Sequence, residues 1–164
     1  HDIGHIAVPE SVLRKVGPLS DEEAEVMKSH ARAGQSILSA HEGITFALAA
    51  EVARSHHEQW DGKGYPDGLA GDAIPLSARI VAVADGFDLL TSGHGMDESR
   101  IEHAQSFLRE HAGRLFDPTL VAELGAVMPE MREVWRRYPA ASDKQAESAV
   151  NWMPDPVTWS ELGS

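Results

Sequence analysis

Residues 54–88, RSHHEQWDGKGYPDGLAGDAIPLSARIVAVADGFD, decide how the rest of this chain reads. Two adjacent imidazoles, His56 and His57, stand at the end of an alanine-rich segment. A loop with four glycines (Gly62, Gly64, Gly68, Gly71) and Pro66 follows them. The second half is an apolar, helix-like run carrying Asp85 and Asp88, one turn apart on the same face. A bare carboxylate in so apolar a setting is costly, so Asp85 needs a partner. A cation would serve, as would Arg79 or a backbone group.

Outward from this stretch the pattern is helical. Residues 1–8 read as the end of a helix that turns at Gly4, and 9–15 as a short helix with Pro9 in its first turn. Ser20 followed three residues later by Glu23 is a capping box, which starts a helix running to about Ala40 and containing His30. Residues 44–56 form a second apolar helix that delivers the histidine pair. Further helices are expected over 75–90 and 99–111, and from the Asp117-Pro118 cap toward Val127. A last, basic-ended helix is expected from Pro129 to Arg137. No alternating strand pattern appears, so the fold class is all-α. Residues 1–138 read as one domain. Residues 139–164 read as a tail or linker, with Trp152 and Trp159 as candidate docking anchors.

A chain of 164 residues with 42% hydrophobic and 24% charged side chains suits one globular domain with a sizeable core. A net charge of −12 argues against a general DNA or anionic-membrane binder, and means that a phosphate substrate needs local cations. The absence of cysteine excludes thiolate metal sites and fits a cytoplasmic location. No apolar run is long enough to span a bilayer, so no membrane insertion is expected. The first residue is His1 rather than Met, and the expectation is that N-terminal helices are missing from this chain.

Ligand-type residues occur in separated groups: His1 and Asp2, then His30, then His56 and His57, then Asp85. A helical bundle brings such groups to one centre through inward-facing side chains. Nitrogen and oxygen donors without sulfur suit Fe, Mn, Zn, Ni or Co. A carboxylate such as Asp2 can bridge two ions, which activate water and clamp a phosphoryl oxygen. Each group alone has a plainer reading: His30 as a surface or satisfied core histidine, the His pair as unligated, and Asp85 as the partner of Arg79.

HDIGH, KSHARAG around His30, HHEQWDGKGYPDGLAGDAIPLSARIVAVADGFDLLTS and the later FDP closely resemble the HD-GYP family of HD-domain metal-dependent phosphohydrolases. The match runs from His1 to about Leu124. The resemblance implies an HD-domain helical bundle with a long glycine-rich GYP loop. It also implies a centre of two or three divalent metal ions, Fe or Mn foremost, with Zn, Ni or Co as further options. The implied activity is hydrolysis of cyclic di-GMP by a metal-bridging hydroxide. Position by position, the resemblance makes His1, Asp2, His30, His56, His57 and Asp85 the metal ligands, with Asp2 bridging. Gly64, Tyr65 and Pro66 become the loop facing the substrate, and Asp88 lies near the bound nucleotide. Metal binding should then fail as pH falls through the histidine range, because the ligands must be deprotonated. An upstream receiver or sensor domain is implied as well, and a protein partner docking on the GYP loop is open.

The sequence departs from the family at two places. His5 stands where the family has a catalytic lysine; it could donate to phosphate when protonated, or act as a supporting histidine. After Ser92, the segment Gly93-His94-Gly95-Met96-Asp97 lacks the Arg and Lys that grip nucleotide phosphates in the family. A catalytically weak or inactive module that binds a nucleotide or protein partner is therefore the alternative. The Glu and His that the family takes from a preceding helix cannot be read here.

Overall fold

The computed structural model describes residues 1–91 and 98–137. The 93–97 segment and the 139–164 tail lie outside the described residues. Among the described residues there are six α-helices and two short 3-10 helices, with isolated β-bridges but no strand, which bears out the all-α reading. In order they are a 3-10 helix (Asp2–Ala7), α1 (Glu10–Leu13), α2 (Asp21–Ser39), α3 (Ile44–Ser55), a second 3-10 helix (Gly71–Ala73), α4 (Leu76–Thr91), α5 (Glu98–Glu110) and α6 (Pro118–Arg137).

Local chemistry sets the ends of these elements. Glu23 N donates to Ser20 Oγ at 3.3 Å and Ser20 N to Glu23 Oε2 at 2.7 Å, so the capping box at the start of α2 is formed. Lys15 adds an ion pair to the same Glu23 carboxylate. Asp117 caps α6 by accepting from Thr119 N at 2.8 Å. Two expectations are corrected. Gly4 does not turn a helix end; it lies inside the first 3-10 helix, where a Cβ would stand 1.9 Å from the His30 carbonyl oxygen. Pro129 does not open a new helix but sits inside α6, where its fixed φ is compatible with a helix although it has no N–H for the Gly125 carbonyl and its ring crowds that carbonyl.

The packing has two characters. The first 3-10 helix, α2 and α3 meet through very small residues. Gly34, one turn after His30, lies close to both Gly4 and Ala53, and Ala31 and Ala53 are fully buried. The second region is an ordinary apolar core of Val83, Phe87, Ile101, Ala104, Leu108, Leu115, Phe116, Val121 and Met128. Helix α4 joins the two. Phe87 enters the apolar core, while Asp85, two residues back and so on the opposite side at about 100° per residue, faces the other region. Arg79 fastens the loop to α6: its Nη1 donates to Asp72 and Asp117, each at 2.9 Å. Trp60 N and Asp61 N bond the Leu115 and Arg114 carbonyls.

Candidate metal centre

The close approach of the 3-10 helix to α2 sets Asp2 in front of His30, and α3 ends so that His56 and His57 face both. One ligand atom from each of Asp2, His30, His56 and His57 lies within 4.8 Å of all the others. Asp2 divides its oxygens. Oδ1 is 3.6 Å from His30 Nε2 and 3.4 Å from His56 Nε2. Oδ2 is 3.3 Å from His1 Nε2 and 4.0 Å from His5 Nδ1. His1 Nε2 in turn lies 3.4 Å from Asp85 Oδ1. The six expected ligands therefore converge, and Asp85 faces His1 rather than Arg79, whose charge goes to Asp72 and Asp117.

Backbone carbonyls fix the tautomers. His30 Nδ1 donates to Met27 O at 2.7 Å, and His56 Nδ1 to Val52 O and Ala53 O, both at 3.1 Å. A carbonyl has no proton to give, so Nδ1 carries the hydrogen in both rings. When neutral, each presents a bare Nε2 to the cluster. Those two nitrogens are 3.4 Å apart, and both face a carboxylate. Lone pairs directed at one another and at an anion repel, and a cation among them removes the conflict. A set of imidazole nitrogens and carboxylate oxygens without sulfur therefore fits a divalent first-row metal.

The electrostatics agree with that fit. His1 is raised to about 10 by hydrogen bonds to Asp2 and then Asp85, so without metal its imidazolium stands where a cation is wanted. Burial pushes the Asp2 carboxyl up, but the hydrogen bond from the His1 imidazolium outweighs it and holds the group well below the usual carboxylate range. Burial lowers His30, and burial together with His56 and His30 lowers His57 strongly, so both favour the neutral, ligating form. Burial likewise lowers His5, whose ring centroid lies 4.3 Å from that of His30. That shift favours an uncharged imidazole beside the cluster over an imidazolium.

The glycine-rich loop is drawn onto this centre. Gly64 packs against the backbone of residues 57–59, where a Cβ would lie 2.3 Å from Gln59 N, so a side chain there is excluded. That brings Tyr65 onto His57, with ring centroids 4.7 Å apart and an interplanar angle of 26°. Burial, with Asp2 and Asp85 next, raises the Tyr65 phenol far above its ordinary value, leaving it a protonated donor. Asp88 is exposed, one turn beyond Asp85, and is not drawn into the cluster as Asp85 is.

Sequence reasoning missed what holds the loop. Arg54 forks onto Asp67, Nε to Oδ2 and Nη2 to Oδ1, both at 2.7 Å, and its Nη1 donates to Gln35 at 2.6 Å. Glu58 is buried and accepts from Asp67 N at 2.7 Å and Leu69 N at 2.8 Å. Arg32 Nη2 donates to the Pro66 carbonyl at 2.7 Å. A charged residue directly after the histidine pair was the available signal for Glu58.

The HD domain family model matches residues 1–120. The chain is 45% identical over 143 residues to the cyclic di-GMP phosphodiesterase response regulator RpfG of Xanthomonas campestris pv. campestris, covering 87% of this chain and 38% of that protein. It is 41% identical over 138 residues to a cyclic di-GMP phosphodiesterase of Thermotoga maritima, covering 84% and 38%. To the 3'3'-cGAMP-specific phosphodiesterase 2 of Vibrio cholerae it is 42% identical over 122 residues, covering 74% and 23%. The chain thus spans well under half the length of these relatives. The crystal structure of a cyclic GMP-AMP-specific phosphodiesterase of V. cholerae (V-cGAP3) superposes with a TM-score of 0.58 at 23% identity, over 88% of this chain and 34% of that one, a likeness of fold.

Proposed function

This chain belongs to the HD domain family, in its HD-GYP branch, and from that premise we propose that it is the hydrolytic module of a metal-dependent cyclic dinucleotide phosphodiesterase. The observation that carries the reading is the division of Asp2 between two groups, His30 and His56 at one oxygen and His1 with Asp85 at the other. In this reading His1, Asp2 and Asp85 would hold one divalent ion. Asp2, His30, His56 and His57 would hold another, with Fe or Mn preferred. Bound metal supplies Lewis-acid polarisation of the phosphoryl oxygens and lowers the pKa of water.

The chain's own groups do the rest. Asp2 stays anionic, and the imidazoles of His30 and His56 are kept in the ligating tautomer by backbone carbonyls. His5 and Tyr65 border the centre, and the Tyr65 phenol keeps its proton for donation to a phosphate oxygen or a base. Gly64 lets the loop lie close enough to present that ring, and in this reading the exposed Asp88 meets a nucleotide lying further along α4. Hydrolysis adds water across one P–O bond of the cyclic diester; the released ribose hydroxyl takes a proton and the new phosphate end stays anionic. Cyclic di-GMP is the preferred substrate. The names of the relatives support the class, and the site chemistry supports a phosphodiester generally. A receiver or sensor domain is proposed for the longer protein, in keeping with the response-regulator name of one relative. A cytoplasmic setting follows from a nucleotide messenger as substrate. Among the described residues no helix is long and apolar enough to cross a membrane. In this reading residues 1–138 form the catalytic unit and 139–164 a tail or linker.

A second reading, binding without turnover, is favoured by His5, whose burial disfavours its charged form where the family has lysine, and by the absence of Arg and Lys from residues 93–97. Metal analysis and cyclic di-GMP turnover on the full-length protein decide between the two. Hydrolysis that drops by about 100-fold or more in Asp2→Ala, together with loss of metal, supports the enzyme. Metal-loaded wild type that binds cyclic di-GMP without cleaving it supports the module.

A further inference from the structure

We propose that Lys28 is the residue that receives the second phosphate of a cyclic dinucleotide at the mouth of this centre. The inference rests on the substrate class proposed above, and concerns a residue that the metal cluster does not use. Lys28, Arg32 and Gln35 share one face of α2 at helical spacing, and that face meets the glycine-rich loop. Arg32 holds the Pro66 carbonyl and Gln35 receives Arg54. Lys28 alone of the three reaches toward the aromatic ring: its Nζ lies 5.7 Å from the Tyr65 centroid, and Tyr65 is stacked on His57. The ammonium is thus separated from a cluster histidine by one ring.

Charge makes the position informative. A cyclic dinucleotide carries two phosphodiester anions, one ribose apart, and the metal centre accounts for one of them. The mouth around Tyr65 is otherwise anionic, with Asp2, Asp85 and Glu25 all acting on its phenol. The cations nearby are mostly committed: Arg54 to Asp67 and Gln35, Arg79 to Asp72 and Asp117, and Arg32 to Pro66 O. Lys28 has Glu25 at 2.9 Å, a carboxylate 72% exposed on the preceding turn. An ion pair so open to water is held weakly and is readily exchanged for a phosphate. Residues 93–97 supply no Arg or Lys, and among the described residues Lys28 is the cation seen over the Tyr65 ring.

The test compares Lys28→Ala, Lys28→Arg and Glu25→Gln in metal-loaded full-length protein. Readouts are calorimetric Kd for cyclic di-GMP, KM and kcat, and hydrolysis of bis(p-nitrophenyl) phosphate, which carries a single phosphate. Lys28→Ala is expected to weaken cyclic di-GMP binding by about tenfold or more, mainly in Kd and KM. Activity on bis(p-nitrophenyl) phosphate should stay within about twofold. Lys28→Arg should largely restore binding, and Glu25→Gln, which frees the ammonium, should tighten it. Equal losses on both substrates, unchanged cyclic di-GMP affinity in Lys28→Ala, or weakened binding in Glu25→Gln would each overturn the assignment. A wild type that binds but does not cleave, with binding lost in Lys28→Ala, upholds Lys28 and removes only the catalytic reading.

Discussion

The two halves of this molecule are held together by different means. Around α4, α5 and α6, large apolar side chains such as Phe87, Leu108 and Met128 fill a core of the usual kind. Around the first 3-10 helix, α2 and α3, the contacts are Gly4, Gly34, Ala31 and Ala53, and the groups they bring together are histidines and carboxylates. The first half derives stability from buried area. The second gives up that area so that three backbones come close enough to set ligand atoms within a few ångströms of one another. A functional centre of mutually repelling lone pairs is tolerated because the apolar half, through α4, carries the fold.

Separating the two halves experimentally should produce distinct signatures. The largest effect is expected from Phe87→Ala, which empties the apolar core and should destabilise by about 3–5 kcal/mol in chemical denaturation. Metal content per folded molecule should stay unchanged; a parallel loss of metal would show that the halves are not separable. Gly4→Ala should destabilise by about 3 kcal/mol, the upper end for overpacking, because the obstacle is the His30 backbone rather than a mobile side chain. Here metal loss should accompany the destabilisation, and retained metal would refute the close-approach account. Chelation should lower the stability of metal-saturated wild type by about 2.7 kcal/mol when free metal had stood at 100 times Kd. The same treatment should have little effect on Gly4→Ala.

The smallest effect concerns the loop latch. Asp67 is held below its ordinary value of 3.8 by the hydrogen bonds from Arg54. A depressed carboxylate contributes stability that is present above its unfolded pKa and is lost as pH falls through the folded one. Asp67→Asn should therefore cost roughly 1 kcal/mol or less at neutral pH, since the pair is partly exposed, and nothing in strong acid. Limited proteolysis of the 57–70 loop at pH 7 should detect it, and equal cleavage in mutant and wild type would remove the latch from the account.

The legibility of the chain follows the same division. The Ser20–Glu23 capping box, the helices and the histidine pair could be read directly because each depends on a few adjacent residues. The resemblance supplied the grouping of His1, Asp2, His30, His56, His57 and Asp85 before any distance was known. Gly4 was misread as a turn because a glycine that bends the chain and one that admits a neighbour look identical in sequence. Pro129 was misread as a helix start because a ring that takes helical φ inside a helix carries the same letter as one that opens it. The Arg54–Asp67 fork and the backbone bonds of Glu58 were missed, since their partners are 13 and 9 to 11 residues away across an irregular loop.

The sequence by itself determined which segments are helical and which residue types bear metal-binding chemistry, because caps, periodicity and donor atoms are local properties. Only the tertiary structure decided that Asp2 turns one oxygen to His30 and His56 and the other to His1, and that Arg79 serves Asp117 rather than Asp85. Those outcomes depend on how closely helices approach and at what rotation, and a single Cβ at Gly4 is enough to change both.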